Sequence, residues 1–253
     1  MHSQTLTHPD DAGTLAYCHT PGSGPGLLFC SGFNSNMEGN KARYLEGLCR
    51  DNHWQYTRFD YRGHGKSSGS FIDCHLGHWL EDTLLVLDEV CAGPQIVVGS
   101  SMGAWLAMLA TQQRSTRVVG VIGLAAAPDF TERLICDGVD AATRDLLQTG
   151  GTWLRPSAYG DGTPYPITSR LIESGRKLQL LGASLSIHQP VTLLHGTGDI
   201  DVPWQLSQEL LEALAYSDAE LLLIRGADHR LSDHRCLEKI RLNIEQMHAR
   251  LQS

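Results

Sequence analysis

Three short stretches of this 253-residue chain carry side chains that, brought together, would cut an acyl bond. In Gln95-Ile96-Val97-Val98-Gly99-Ser100-Ser101-Met102-Gly103-Ala104-Trp105 an apolar run enters a G-x-S-x-G pentapeptide and a helix-forming run leaves it. Glycines around Ser101 permit a sharp strand-to-helix reversal, which holds the serine backbone in an unfavourable conformation and exposes its hydroxyl at a helix start. A serine hydroxyl is a weak nucleophile, so it needs a general base and a group that orients the base. His229, in Leu222-Leu223-Ile224-Arg225-Gly226-Ala227-Asp228-His229-Arg230, and Asp199, in Leu193-Leu194-His195-Gly196-Thr197-Gly198-Asp199, each lie just past an apolar strand-like run. The spacing of thirty positions from Asp199 to His229 leaves room for one helix and one strand. In these roles Ser101 attacks a carbonyl, His229 takes its proton and Asp199 orients His229.

Each assignment has rivals in the same chain. Asp201 is close to Asp199, but the pattern Gly196-x-x-Asp199-x-x-Val202-Pro203 favours the latter. His234 falls inside a terminal helix, and His195, at a strand end, reads as a brace for the acid loop. Gly65-Lys66-Ser67-Ser68-Gly69 also satisfies G-x-S-x-G, yet it follows the polar Arg62-Gly63-His64 and no apolar periodic helix succeeds it, so Ser67 reads as a loop residue. The same stretch nearly spells a phosphate-binding loop, which would need glycine where Asp60 stands. His75 and His78 share a helical face without an evident third metal ligand, and the seven cysteines form no C-x-x-C pair. The chain is therefore expected to use no metal and no organic cofactor, and its cysteines to be reduced.

The elements that must position these residues follow from hydrophobic period. Strands are predicted at 14–18, 26–31, 55–60, 95–99, 118–124, 191–195 and 220–225, and helices at 41–50, 78–90, 102–112, 205–216 and from about Asp233. Alternation of the two predicts an α/β fold with a mostly parallel sheet flanked by helices. From Pro128 to Pro190 no strand-like run appears, although helical material does (143–148 and 167–180). So long a stretch is expected to be a cap (lid) inserted at 128–190, with residues 1–127 and 191–253 as the core. The polar loop Ser31-Gly32-Phe33-Asn34-Ser35-Asn36 and the residue after the nucleophile supply the backbone N–H groups expected to form an oxyanion hole, those of Phe33 and Met102. Trp79, Trp153, Tyr159 and Tyr165 are expected to join them in an apolar acyl pocket.

An apolar fraction of 42%, a charged fraction of 19% and a net charge of −8 are those of an ordinary globular protein and argue against nucleic-acid or anionic-membrane partners. No run approaches the ~18 apolar residues of a membrane span. The polar, acidic start of the chain resembles neither a signal nor a transit peptide, so the expected location is the cytoplasm.

Taken together, Ser31-Gly32-Phe33, Phe59-Asp60-Tyr61-Arg62-Gly63-His64-Gly65-Lys66-Ser67-Ser68-Gly69, the Gly93–Trp105 block, Leu193-Leu194-His195-Gly196 with Asp199 and Val202-Pro203-Trp204, and Asp228-His229-Arg230 resemble the α/β-hydrolase superfamily. Within it they are similar to mitochondrial abhydrolase-domain thioesterases that remove palmitoyl groups or cleave acyl glucuronides, and to their bacterial relatives. The resemblance runs from about Thr14 onward. It implies the α/β-hydrolase fold and hydrolysis of small-molecule acyl esters or thioesters. The same three residues would also serve an aminopeptidase, a C–C bond hydrolase or a perhydrolase. Outside enzymes, the scaffold would serve as a binding module.

Overall fold

The structure is a computed structural model describing residues 3–9, 13–156, 162 and 164–252. Its strands are β1 (Gln4–Thr7), β2 (Thr14–Thr20), β3 (Ser23–Cys30), β4 (Trp54–Phe59), β5 (Gln95–Ser100), β6 (Val118–Leu124), β7 (Thr152–Arg155), β8 (Tyr165–Thr168), β9 (Val191–Gly196) and β10 (Ala219–Ile224). Eight of them form one sheet in the order β1-β2-β4-β3-β5-β6-β9-β10, antiparallel at the β1–β2 and β2–β4 pairs and parallel elsewhere.

The central strands read as unbroken apolar runs because both of their faces are covered. In β3, Leu28 and Cys30 belong to one core while Leu27 and Phe29 belong to the other. Helices α1 (Asn40–Asp51) and α7 (His234–Gln252) close the second face, burying Ala42, Leu45, Ile240 and Ile244. Helices α2 (Leu76–Glu89), α3 (Met102–Gln113) and α6 (Gln205–Ala213) close the first. Helix α3 is buried continuously from Met102 to Thr111, so it carries no polar stripe.

Chain order decides where a site can form. After β3 the chain passes through α1 on one face, and after β5 it passes through α3 on the other. The loops leaving these neighbouring parallel strands therefore diverge and open a crevice at their carboxyl ends. The loops after β9 and β10 emerge at the same edge, since both strands run parallel to the rest.

Residues 128–190 leave the sheet after β6 and return at its neighbour β9. They hold a π-helical segment (Thr131–Cys136), α4 (Ala141–Gln148), the antiparallel hairpin β7–β8 and α5 (Ser169–Lys177). The hairpin corrects the expectation of a strandless segment. Its strands are four residues long, and β7 alternates exposed and half-buried positions without an apolar run. The edge strand β1 was equally invisible, because Gln4–Thr7 is polar and largely exposed.

Contacts with α2 and α3 tie this segment to the core, the Gly77 N–H donating to the Ser174 hydroxyl at 2.9 Å, and a buried carboxylate fastens its two ends to each other. The Trp105 indole N–H donates to the Leu178 carbonyl at 2.9 Å. Asp129, buried and at φ 52°, accepts from the backbone N–H groups of Leu180 and Leu181 at 2.8 and 2.9 Å. Among the described residues no helix is long and apolar enough to cross a membrane. Replacing Asp129 with Ala strands two N–H groups at a buried position, so Asp129→Ala should cost about 1–3 kcal/mol in urea unfolding. It should also speed hydrogen exchange at Leu180 and Leu181, and unchanged exchange there would refute the tether.

Candidate active site

Ser101 stands between β5 and α3 with φ 55° and ψ −118°, a conformation that costs a non-glycine residue on the order of 1–3 kcal/mol. Its neighbours leave it no alternative. The Ser101 N–H donates to the Leu124 carbonyl at 2.8 Å, and the Ser101 carbonyl accepts from Ala104 and Ala127 at 3.0 and 3.3 Å. The reversal also needs backbone against backbone. A Cβ on Gly99 would lie 2.3 Å from the Gly103 carbonyl oxygen, and one on Gly103 would lie 2.1 Å from that of Cys30. The pentapeptide glycines are thus required by close approach.

The structure brings Ser101, His229 and Asp199 into one hydrogen-bonded line. Ser101 Oγ lies 3.1 Å from His229 Nε2, and His229 Nδ1 lies 2.7 Å from Asp199 Oδ2. With Nδ1 facing a carboxylate, the neutral ring carries its proton there and leaves Nε2 to accept from the serine hydroxyl. The Asp199 side chain is fully buried and that of His229 is 18% exposed. Asp199 Oδ1 accepts from the backbone N–H groups of Asp201 and Val202, both at 2.9 Å. Oδ2 also faces Nε2 of fully buried His195 at 3.1 Å, whose Nδ1 is 2.6 Å from the Ser207 hydroxyl. Burial pushes the Asp199 carboxyl upward, but donation from His195, His229 and Val202 outweighs it and holds the group well below the ordinary carboxylate range. The rival Asp201 supplies a backbone N–H to this arrangement, while the histidine bonds Asp199.

Gly32 lies against the serine: a Cβ there would be 3.4 Å from Ser101 Cβ. The loop it opens carries Phe33, and among the described residues neither the Phe33 N–H nor the Met102 N–H has a protein acceptor. The Phe33 ring meets those of Phe71, Trp79, Phe130 and Tyr165 edge-on, at centroid distances of 5.0 to 6.0 Å.

Ser101 and His229 open into a cavity of about 460 Å³. Part of its lining is apolar, from Phe33, Ala127, Phe130, Leu134 and Tyr165. The rest is polar and cationic, with Asn34, Asn36, Lys41, Arg155 and Arg230. Burial pulls the Lys41 ammonium down to about 8, with Asp228 opposing, and its Nζ donates to the Arg230 carbonyl.

Of Trp79, Trp153 and Tyr165, the described aromatics expected to join Phe33 in the pocket, only Tyr165 lines this cavity. Trp79 is a correction: it is fully buried behind Phe33, and its indole N–H donates to the Arg62 carbonyl. Trp153 is another, because it pairs with Ile167 across the hairpin and packs on the core while its neighbour Arg155 faces the cavity. Tyr159 lies outside the described residues. Phe130, Leu134 and Arg155 had no local signature, since only the path of the chain between β6 and β9 places them at the cavity. The Ser67 hydroxyl donates to the Asp60 carbonyl and accepts from the Ala16 N–H, as a loop residue does.

A family model described as "Alpha/beta hydrolase family" matches residues 27–238. The palmitoyl-protein thioesterase ABHD10, mitochondrial, of Bos taurus is 34% identical over 242 residues, 96% of this chain and 78% of its own length. The pimeloyl-[acyl-carrier protein] methyl ester esterase of Nitrosomonas europaea is 27% identical, over 74% of this chain and 82% of its own. Among solved structures, alpha/beta hydrolase domain-containing protein 10 from mouse superposes with a TM-score of 0.92 at 32% identity, covering 99% of this chain and all of that one. The cytoplasmic location expected from the N-terminal composition is corrected by these relatives, since the bovine protein is named as mitochondrial.

Two measurements test the geometry. Gly103→Ala forces a methyl group into the Cys30 carbonyl and should lower stability by about 1–3 kcal/mol with loss of fluorophosphonate labelling at Ser101. Asp199, whose folded-state pKa is depressed, contributes stability present above the unfolded value near 4 and lost as pH falls through the folded one. The urea midpoint should therefore fall more steeply below about pH 5 in the wild type than in Asp199→Asn.

Proposed function

Because the chain belongs to the alpha/beta hydrolase family, we propose that it hydrolyses acyl esters or thioesters with Ser101 as nucleophile, His229 as general base and Asp199 as the carboxylate that orients the base. One observation carries the reading: the line Ser101 Oγ, His229 Nε2 and Nδ1, Asp199 Oδ2, at 3.1 and 2.7 Å. The printed names of the bovine and Nitrosomonas relatives, a thioesterase and a methyl ester esterase, support the bond class.

His229 Nε2 takes the hydroxyl proton as Ser101 Oγ attacks the substrate carbonyl, while the Phe33 and Met102 N–H groups hold the developing oxyanion. Collapse of the tetrahedral adduct breaks the bond to the alcohol or thiol, which leaves with the proton from His229. Water then attacks the acylated serine, again giving its proton to His229, and the acid departs with Ser101 restored. Asp199 stabilises the imidazolium in both halves without taking the proton. Groups of this chain and water carry every step.

Residues 128–190 serve as the cap. Phe130, Leu134 and Tyr165 from this segment, with Phe33 and Ala127, form the wall that receives the acyl chain, and the hairpin residue Arg155 joins the polar lining.

The test is a kinetic panel of p-nitrophenyl esters of increasing length, acyl-CoAs and an S-acyl peptide. Wild type should turn over at least one acyl ester or thioester, and Ser101→Ala should abolish both turnover and fluorophosphonate labelling. Asp199→Asn, which leaves the imidazole in the wrong tautomer, should lower kcat by up to about 10⁴-fold. Labelling that persists at another serine in Ser101→Ala would overturn the assignment.

A further inference from the structure

The turn after β4, Asp60-Tyr61-Arg62-Gly63-His64-Gly65-Lys66-Ser67, is neither a phosphate loop nor a second nucleophile, yet it is packed with buried polar side chains. Asp60 is 1% exposed, Tyr61 0% and His64 3%. Their partners lie on one short stretch of chain, the loop after β3. Tyr61 donates its hydroxyl to the Ser31 carbonyl at 3.3 Å. His64 Nε2 accepts from the Asn34 backbone N–H at 3.2 Å. Asp60 Oδ1 accepts from the Met37 N–H at 2.6 Å, and Arg58, the fully buried strand residue, donates to the Met37 carbonyl at 2.7 Å.

The His64 contact falls beside the proposed oxyanion donor. Asn34 follows Phe33 directly and holds φ 50°, and the Ser35 N–H closes back on the Gly32 carbonyl at 3.2 Å. The Phe33 peptide thus sits at the tip of a tight turn whose third residue is left-handed, a conformation an L side chain leaves readily unless held. An Asn34 N–H pointed into the protein needs an acceptor, and His64 supplies it.

We infer that His64 is a positioning residue for the reaction: its neutral imidazole locks the Gly32–Ser35 turn so that the Phe33 N–H is fixed toward the carbonyl oxygen attacked by Ser101. The inference rests on the proposed acyl-transfer reading of the same site. The imidazole is suited to the part because a protonated ring would oppose the Asn34 N–H with a second donor. His64 Nδ1 lies 3.3 Å from the Arg62 carbonyl, which leaves Nε2 as the accepting nitrogen. Burial pulls the group down to about 4, with the Arg62 carbonyl opposing, so the accepting form prevails at neutral pH. The Asp60 carboxylate holds the supporting turn rigid by also accepting from the Lys66 N–H at 2.9 Å. A Cβ on Gly65 would lie 2.2 Å from that carboxylate, so the glycine of this motif is needed for space.

The experiment compares wild type, His64→Leu and His64→Gln, with kcat expressed per active site titrated by a fluorophosphonate. Gln can present an oxygen near the Nε2 position, whereas Leu fills the space without an acceptor. His64→Leu should lose roughly 10- to 100-fold in kcat with KM changed less than about threefold, short of the 10²–10³ typical of deleting an oxyanion donor. Affinity for a trifluoromethyl ketone that forms a Ser101 hemiketal should fall in proportion to kcat, and His64→Gln should recover most of both. A purely structural histidine would lower the melting temperature and the titratable fraction while leaving per-site kcat intact, and that result overturns the inference. Failure of the wild type to hydrolyse any acyl substrate would instead refute the underlying reading. Should His64→Leu not fold, His64→Gln and His64→Asn decide the matter. Both carry an amide of similar polarity, and only the longer should keep the kcat and ketone affinity; equal values in the two refute the role.

Discussion

The close approach of three backbone segments around Ser101 is the constraint on which the rest of the site depends. Gly99, at the end of β5, lies against the first turn of α3, and Gly103 in that turn lies against the end of β3. Because no side chain intervenes, the strand reverses into a helix within one residue, and that residue is forced to φ 55°. The reversal seats the start of α3 against the end of β3, whose following loop brings Gly32 against Ser101 and Phe33 to the cavity. It also buries α3 nearly all round, which explains why the sequence after the pentapeptide shows no amphipathic stripe.

Three buried carboxylates do parallel work around this centre. Asp60 accepts from the Met37 and Lys66 N–H groups, Asp129 from Leu180 and Leu181, and Asp199 from Asp201 and Val202. Each fastens irregular backbone at or beyond the carboxyl ends of the strands, where loops lack a ladder to satisfy them. Their electrostatics separate them. Burial raises Asp60 and Asp129, against which the backbone donors prevail only in part. Asp199 alone falls well below the ordinary range, because two imidazoles donate to it as well. A carboxylate kept ionised opposite a histidine can stabilise that histidine's charged form, whereas the hydrogen bonds that hold Asp60 and Asp129 come from backbone amides.

Legibility followed the range of the interactions. Strands β3, β5, β6 and β9 announce themselves because burial on both faces demands apolar residues at successive positions. Ser101 and Asp199 are legible for a related reason, since each follows such a strand, and His229 follows the apolar edge strand β10; all three have glycine or a turn former nearby, so the signature is local. Strands β1, β7 and β8 lack a buried run, and nothing local separates them from loop. Trp79 and Trp153 show the other failure. Their size marks them for burial, but whether a buried ring faces a cavity or a core depends on what packs behind it, and Phe33 stands in front of Trp79.

By itself, then, the sequence determined the alternation of strands and helices, the place of the sharp reversal and the residue types able to move a proton there. These properties are written in period, in glycine positions and in short spacings along one chain. The tertiary structure decided which carboxylate meets the histidine and that His64 reaches the loop thirty residues before it. It also decided which parts of residues 128–190 line the cavity. Those outcomes turn on distances between segments far apart in sequence, which close packing sets and no local pattern encodes.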